Sequence, residues 1–105
     1  MTTPEGVVIL SNMSAKLMLN ERHSLSEISF VEIVVWRLPL PLSGSHHDFK
    51  YRLALIVNGR CVLRYDNEAG KGDHRHKGEE EIPYFFTTPQ ALLYDFWQNV
   101  DNWRP

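Results

Sequence analysis

Residues 51 to 66, YRLALIVNGRCVLRYD, read as two strands laid back to back across Asn58-Gly59. A two-residue type I′ turn needs positive φ at both positions, and this dipeptide tolerates it better than almost any other. With Val57 facing Arg60, the expected register pairs Leu55 with Val62, Leu53 with Arg64 and Tyr51 with Asp66. On the alternate positions it pairs Ile56 with Cys61, Ala54 with Leu63, Arg52 with Tyr65 and Lys50 with Asn67. The turn end of this ribbon is apolar and its open end polar, so chemistry is expected at the open end.

Working outward, Glu27 to Leu38 (EISFVEIVVWRL) has the β-branched and aromatic content of a strand, stopped by Pro39 and Pro41. Lys16 to Ser24 is a mixed segment ahead of it. Leu42 to Asp48 (LSGSHHD) reads as a polar surface loop or a flexible flap in which His46 and His47 are solvated, the alternative being that they join an active site, and His23 reads as a surface residue at a strand end. On the far side, Glu68 to Glu81 (EAGKGDHRHKGEEE) has no apolar period and reads as a loop, with Glu79, Glu80 and Glu81 as a solvated face. Ile82 to Phe86 reads as a short edge strand because of Pro83. Thr88 and Pro89 then have the chemistry of an N-cap and a first helical residue. Leu92, Leu93, Phe96, Trp97 and Val100 form an apolar stripe at helical spacing.

The chain has 105 residues, enough for one domain, and 43% of them are hydrophobic. The expected architecture is α+β: an antiparallel sheet of four to five strands packed by a C-terminal helix. Residues 1–14, with an apolar patch at Val7 to Leu10, form an arm or a small strand, and 15–105 form the domain. Trp36 and Trp97 are expected in the core. Eleven Lys and Arg against thirteen Asp and Glu give a formal charge of -2, which excludes a global basic field, so any nucleic-acid site must be a local patch. The single cysteine, Cys61, rules out an internal disulfide. With no secretory signal and no apolar run long enough to span a bilayer, the expected location is the cytoplasm, away from membranes.

Chemistry is concentrated in Tyr65 to His76, YDNEAGKGDHRH. Gly70 and Gly72 flank Lys71 as in a phosphate-binding loop, but the P-loop spacing and its following Ser or Thr are missing. Asp66, Asp73, His74 and His76 could hold a divalent ion, although their spacing fits no standard ligand pattern. A third reading is metal-free cleavage of RNA. One imidazole removes the 2′-hydroxyl proton, a second protonates the leaving oxygen, and a cation stabilises charge on the phosphate. His74 and His76 would be the acid/base pair, with Lys71, Asp66 and Asp73 completing the catalytic set. Arg75, Asn67, Tyr65, Lys50 and Arg52 would bind substrate. Lys50, Arg52 and Arg64 read equally as an exposed charged face, and the histidines and Asp73 as groups that merely hydrogen-bond a glycine-rich loop in place. The contrasting functional reading is a non-catalytic module whose loop binds a protein partner, a nucleotide or a metal.

The block YDNEAGKGDHRH, with YRLALIVNGRC before it and EEEIPYFFTTPQALLYDFWQNV after it, resembles the TumE family of small prokaryotic toxins. The resemblance covers about residues 30 to 101. It carries over at Tyr65, Asp66, Asn67, Gly70, Lys71, Gly72, Asp73, His74, Arg75 and His76. It implies a toxin that arrests growth and is neutralised by a cognate helix-turn-helix antitoxin encoded beside it, with RNA as the expected target. No cofactor is expected, and a homodimer is left open.

Overall fold

A computed structural model describes residues 15–105; the expected strand or arm at Val7 to Leu10 lies outside the described residues. The chain forms β1 (Lys16–Ser24), β2 (Ser29–Arg37), β3 (Phe49–Val57), β4 (Arg60–Glu68), β5 (Gly72–Lys77), β6 (Glu80–Pro83) and then α1 (Pro89–Asn102). The strands make one antiparallel sheet in which each pairs with its sequence neighbours, in the order β1 to β6. The α+β class holds, with six strands in place of the expected four to five.

Alternation along β2 shows how the sheet divides. Val31, Ile33 and Val35 are buried on one face, and Phe30, Glu32, Val34 and Trp36 point to the other. Tyr51, Leu53, Leu55, Leu63 and Tyr65 continue the buried face, and α1 covers it with Leu92, Phe96 and Val100. Each of those three helix side chains adds roughly 1.5–3 kcal/mol by leaving water. Thr88 caps the helix as its sequence predicts, its Oγ1 accepting from the Ala91 N–H at 3.0 Å, with Pro89 next. Among the described residues no helix lies on the second face of the sheet, the open face. Trp36 lies on it at 36% exposure, so the expected core position is corrected; Trp97 is partly buried against the core.

The Asn58-Gly59 turn forms as expected, with φ of 51° and 75°. The register beyond it is corrected. Val57 faces Arg60 and Ile56 faces Cys61, but a bulge then takes up Val62, so that Leu55 faces Leu63, Leu53 faces Tyr65 and Arg52 faces Asp66. The cause is burial. Without the extra residue, Arg64 and Asp66 would share the helix side with Leu53 and Tyr51, whereas the bulge sends Leu63 and Tyr65 there instead.

Glu68 to Glu81 is also corrected, from a loop to most of a hairpin, β5 and the start of β6. Its apolar period is missing because the positions of β5 that face α1's side, Asp73, Arg75 and Lys77, are polar, Asp73 being held by hydrogen bonds and Arg75 lying beside the Tyr65 hydroxyl. The edge strand expected at Ile82 to Phe86 lies slightly earlier, ending at Pro83, while Lys16–Ser24 is the opposite edge.

Candidate functional site

Successive β5 residues point to opposite faces, so the GKGDHRH segment is split between them. On α1's side, the Asp73 carboxylate is a hub. Its Oδ1 accepts from Ser45 Oγ at 2.6 Å, and its Oδ2 accepts from Tyr51 OH at 2.6 Å and from His47 Nε2 at 2.7 Å. The tautomer of His47 follows from its other nitrogen. Nδ1 accepts from the Phe49 N–H at 3.1 Å, which leaves the proton on Nε2 to donate to Asp73. Burial, reinforced by the bond to Asp73, pushes the Tyr51 phenol far above its ordinary range and keeps it protonated. Asn67, 1% exposed, ties the same corner together: its Oδ1 accepts from Tyr51 N–H and its Nδ2 donates to the Phe49 carbonyl.

The 42–48 loop is drawn against the start of β5 by this hub. Gly44 and Gly72 meet backbone to backbone, and a Cβ at Gly72 would stand 2.8 Å from the Gly44 carbonyl oxygen. His47 is therefore no solvated loop residue, as the Gly/Ser composition around it suggested. Its ring stacks on Phe86 at 3.8 Å and its side chain is 13% exposed. His46 is exposed, as expected.

The open face holds the other half. Two cross-strand rows run over it: Arg52, Asp66, His74 and Pro83, then Ala54, Arg64, His76 and Glu81. His74 and His76 are two residues apart on one strand, which sets their backbone positions roughly 6.6 Å apart on the same side. The His74 Nδ1 is 3.2 Å from the Gly72 carbonyl, an acceptor, so Nδ1 carries a proton and, in the neutral ring, Nε2 has the lone pair. Among the described residues that Nε2 has no hydrogen-bond partner.

His76 is held differently. Its Nε2 lies 3.1 Å from Arg64 Nη2, which can only donate, and 3.0 Å from Glu81 Oε2, which can only accept when ionised. The first contact suits the unprotonated nitrogen and the second the protonated one, so His76 has a partner for either state. Asp66 Oδ1 is 3.8 Å from the same atom. Arg64 Nε is 3.1 Å from Asp66 Oδ2 but is shielded from water without an aligned bond, which leaves the guanidinium short of one acceptor. Arg52 is shared with Glu32 at 3.3 Å.

The expected site residues therefore separate. His74, His76, Asp66 and Arg52 come together on the open face. Asp73 lies behind the sheet with its oxygens committed. Tyr65 and Asn67 are both buried, and neither meets a ligand from its position. Burial raises the Tyr65 phenol, opposed by Arg75 and Asn99 beside the hydroxyl. Arg75 is thus on the inner side as well. Lys71 sits at the β4–β5 turn, 57% exposed and 4.0 Å from Glu68 Oε1, and Lys50 Nζ donates to the Asn67 carbonyl at 3.3 Å. The four-residue metal set is divided by the sheet, since Asp73 faces away from Asp66, His74 and His76. Among the described residues no three His, Cys, Asp or Glu side chains converge as metal ligands would. Ser45, His47, Tyr51 and Glu81 were not among the sequence candidates. Only the paired histidines at 46 and 47 hinted at one of them.

No described helix is long and apolar enough to cross a membrane. A family model described as toxin TumE matches residues 13–104. No curated protein and no solved structure matches the chain.

Proposed function

The chain belongs to the TumE toxin family, and from that premise we propose that it is the toxin of a toxin–antitoxin pair and cuts RNA through the open face of its sheet. The observation that carries this reading is the pair His74 and His76 on one face of β5, the first with a free Nε2 and the second with a partner for both protonation states. A cyclising cleavage needs a base and an acid on opposite sides of one phosphorus, and neighbouring same-face positions of a strand suit that span.

His74 Nε2 takes the 2′-hydroxyl proton as O2′ attacks phosphorus. The P–O5′ bond breaks, and O5′ takes the proton from His76. The products are a 2′,3′-cyclic phosphate and a free 5′-hydroxyl, with the two histidines left in exchanged protonation states for solvent to reset. Arg64 and Arg52 flank the phosphate and stabilise the charge that builds on it. Glu81 Oε2, 3.0 Å from His76 Nε2, accepts from that nitrogen while it carries the proton.

Purified protein is tested on a single-stranded RNA and on the same strand with one 2′-deoxy position. The expected result is a cyclic-phosphate end, loss of cleavage at the deoxy position, and loss of both cleavage and growth arrest in His74→Ala and His76→Ala while the melting curves stay near wild type. Equal cutting of the deoxy strand, or growth arrest that survives both substitutions, would overturn the mechanism. Co-expression of the cognate helix-turn-helix antitoxin is expected to restore growth.

A further inference from the structure

Tyr84, Phe85 and Phe86 follow the edge strand β6, and their side chains alternate in direction. Tyr84 turns inward to donate to Asp95 at 2.6 Å, and Phe86 turns inward to stack on His47. Phe85, between them, is left 85% exposed. A lone exposed aromatic would need no explanation. This one borders a cleft of about 480 Å³ whose wall also carries His46, Lys71, His74 and Pro83.

The polar lining of that cleft is basic where it is free to bind. Asp73 is the one carboxylate in the wall, and its oxygens are taken by Ser45, His47 and Tyr51. Lys71 has Glu68 at 4.0 Å as a loose, solvent-screened neighbour. An aromatic plate beside a cation is the arrangement that takes unpaired bases, because every base has a π-face and every link a phosphate. His74 belongs both to this cleft and to the row that carries Asp66 and Arg52, so whatever binds here is continuous with the reaction site.

We propose that the cleft takes one unstacked nucleotide of a single-stranded RNA, its base on the face of Phe85 and its phosphate on Lys71, and thereby sets the strand in register with His74. This rests on RNA being the target, as proposed above.

The test uses a short fluorescein-labelled RNA made uncleavable by 2′-O-methyl groups, with binding to the full chain followed by anisotropy and cleavage of the unmodified strand measured separately. Phe85→Ala is expected to weaken binding roughly five- to 150-fold, the range for loss of one stacked base. Phe85→Trp should restore it, and Lys71→Gln should lower the salt dependence by about one counterion. Because Phe85 touches water on most of its surface, these variants should keep the wild-type circular dichroism. Cleavage by the wild type together with unchanged binding by Phe85→Ala would overturn the cleft alone, including the case in which Phe85→Ala weakens only antitoxin binding. Phe85-dependent binding with no cleavage would support the cleft and sink the ribonuclease mechanism. No binding by wild type would overturn both.

Discussion

Asp73 was expected in the catalytic set, and its surroundings give it a different task that a single substitution exposes. In Asp73→Asn the new amide is nearly the same shape but neutral, with one acceptor oxygen. That oxygen does best facing His47 and Tyr51, because the His47 Nε2–H is fixed as a donor by the Phe49 bond on Nδ1. The Ser45 hydroxyl can reverse and accept from the amide. The His47 and Tyr51 donors keep an acceptor, the Ser45 hydroxyl proton loses its own, and three charge-assisted bonds become neutral ones. A charged partner makes a bond worth about 1.5–3 kcal/mol against about 0.5–1.5 for a neutral pair, so over three bonds the loss comes to roughly 3–4.5 kcal/mol. For a domain of this size that is roughly 12–18 °C in Tm. Asp73→Ala leaves all three donors facing a void and should cost at least about 2 kcal/mol more. Scanning calorimetry measures both, and RNA cleavage well below the lowered Tm of Asp73→Asn should persist, since the carboxylate faces away from His74 and His76. A Tm for Asp73→Asn within about 2 °C of wild type, with cleavage lost, would refute the hub and return Asp73 to the reaction.

Three other outcomes are expected. Alkaline unfolding should be steep: an unfolded tyrosine ionises near pH 10 while Tyr51 and Tyr84, raised by burial and by their bonds to Asp73 and Asp95, keep their protons. Stability is therefore intact below about pH 10 and falls above it by up to about 1.4 kcal/mol per pH unit for each such tyrosine. Chemical denaturation at rising pH should show a shallower fall for Tyr51→Phe, and identical slopes would contradict the assignment. Gly72→Ala, at φ of 76° and with its new Cβ 2.8 Å from the Gly44 oxygen, should cost more than about 2 kcal/mol in the same measurement. A Tm equal to wild type would show that the 42–48 loop does not close on β5 as described. Cleavage should survive a chelator, because the sheet separates Asp73 from the other three candidate ligands; activity abolished by chelation and restored by one divalent metal would point to a site built otherwise.

What could be read ahead of the structure was local. Asn58-Gly59 and Thr88-Pro89 announce a turn and a helix start because their preferences are set by neighbouring atoms. Strand β5 was hidden because its inner side carries Asp73, Arg75 and Lys77, which leave no apolar period. The bulge at Val62 was hidden because the turn chemistry specifies only the first two pairs, whereas burial of Leu63 and Tyr65 decides the rest. The His74 and His76 pair was legible as chemistry, and its placement with Asp66 and Arg52 depended on the bulge. His47 could not be placed at all, since Asp73, the residue that holds it, is 26 positions away.

A meander with no crossovers also has a history written into it. Each strand finds its partner next to it in the chain, so loop closure is cheap at every step and the sheet can grow hairpin by hairpin as residues emerge during synthesis. The cover for its apolar face comes after all six strands, in the helix carrying Leu92, Phe96 and Val100. There is accordingly an interval in the life of each molecule when the strands are paired but Leu53, Leu55, Leu63 and Tyr65 still face water. A chaperone or protease that competes for the nascent toxin has its best opening in that interval, before the last turns of helix dock.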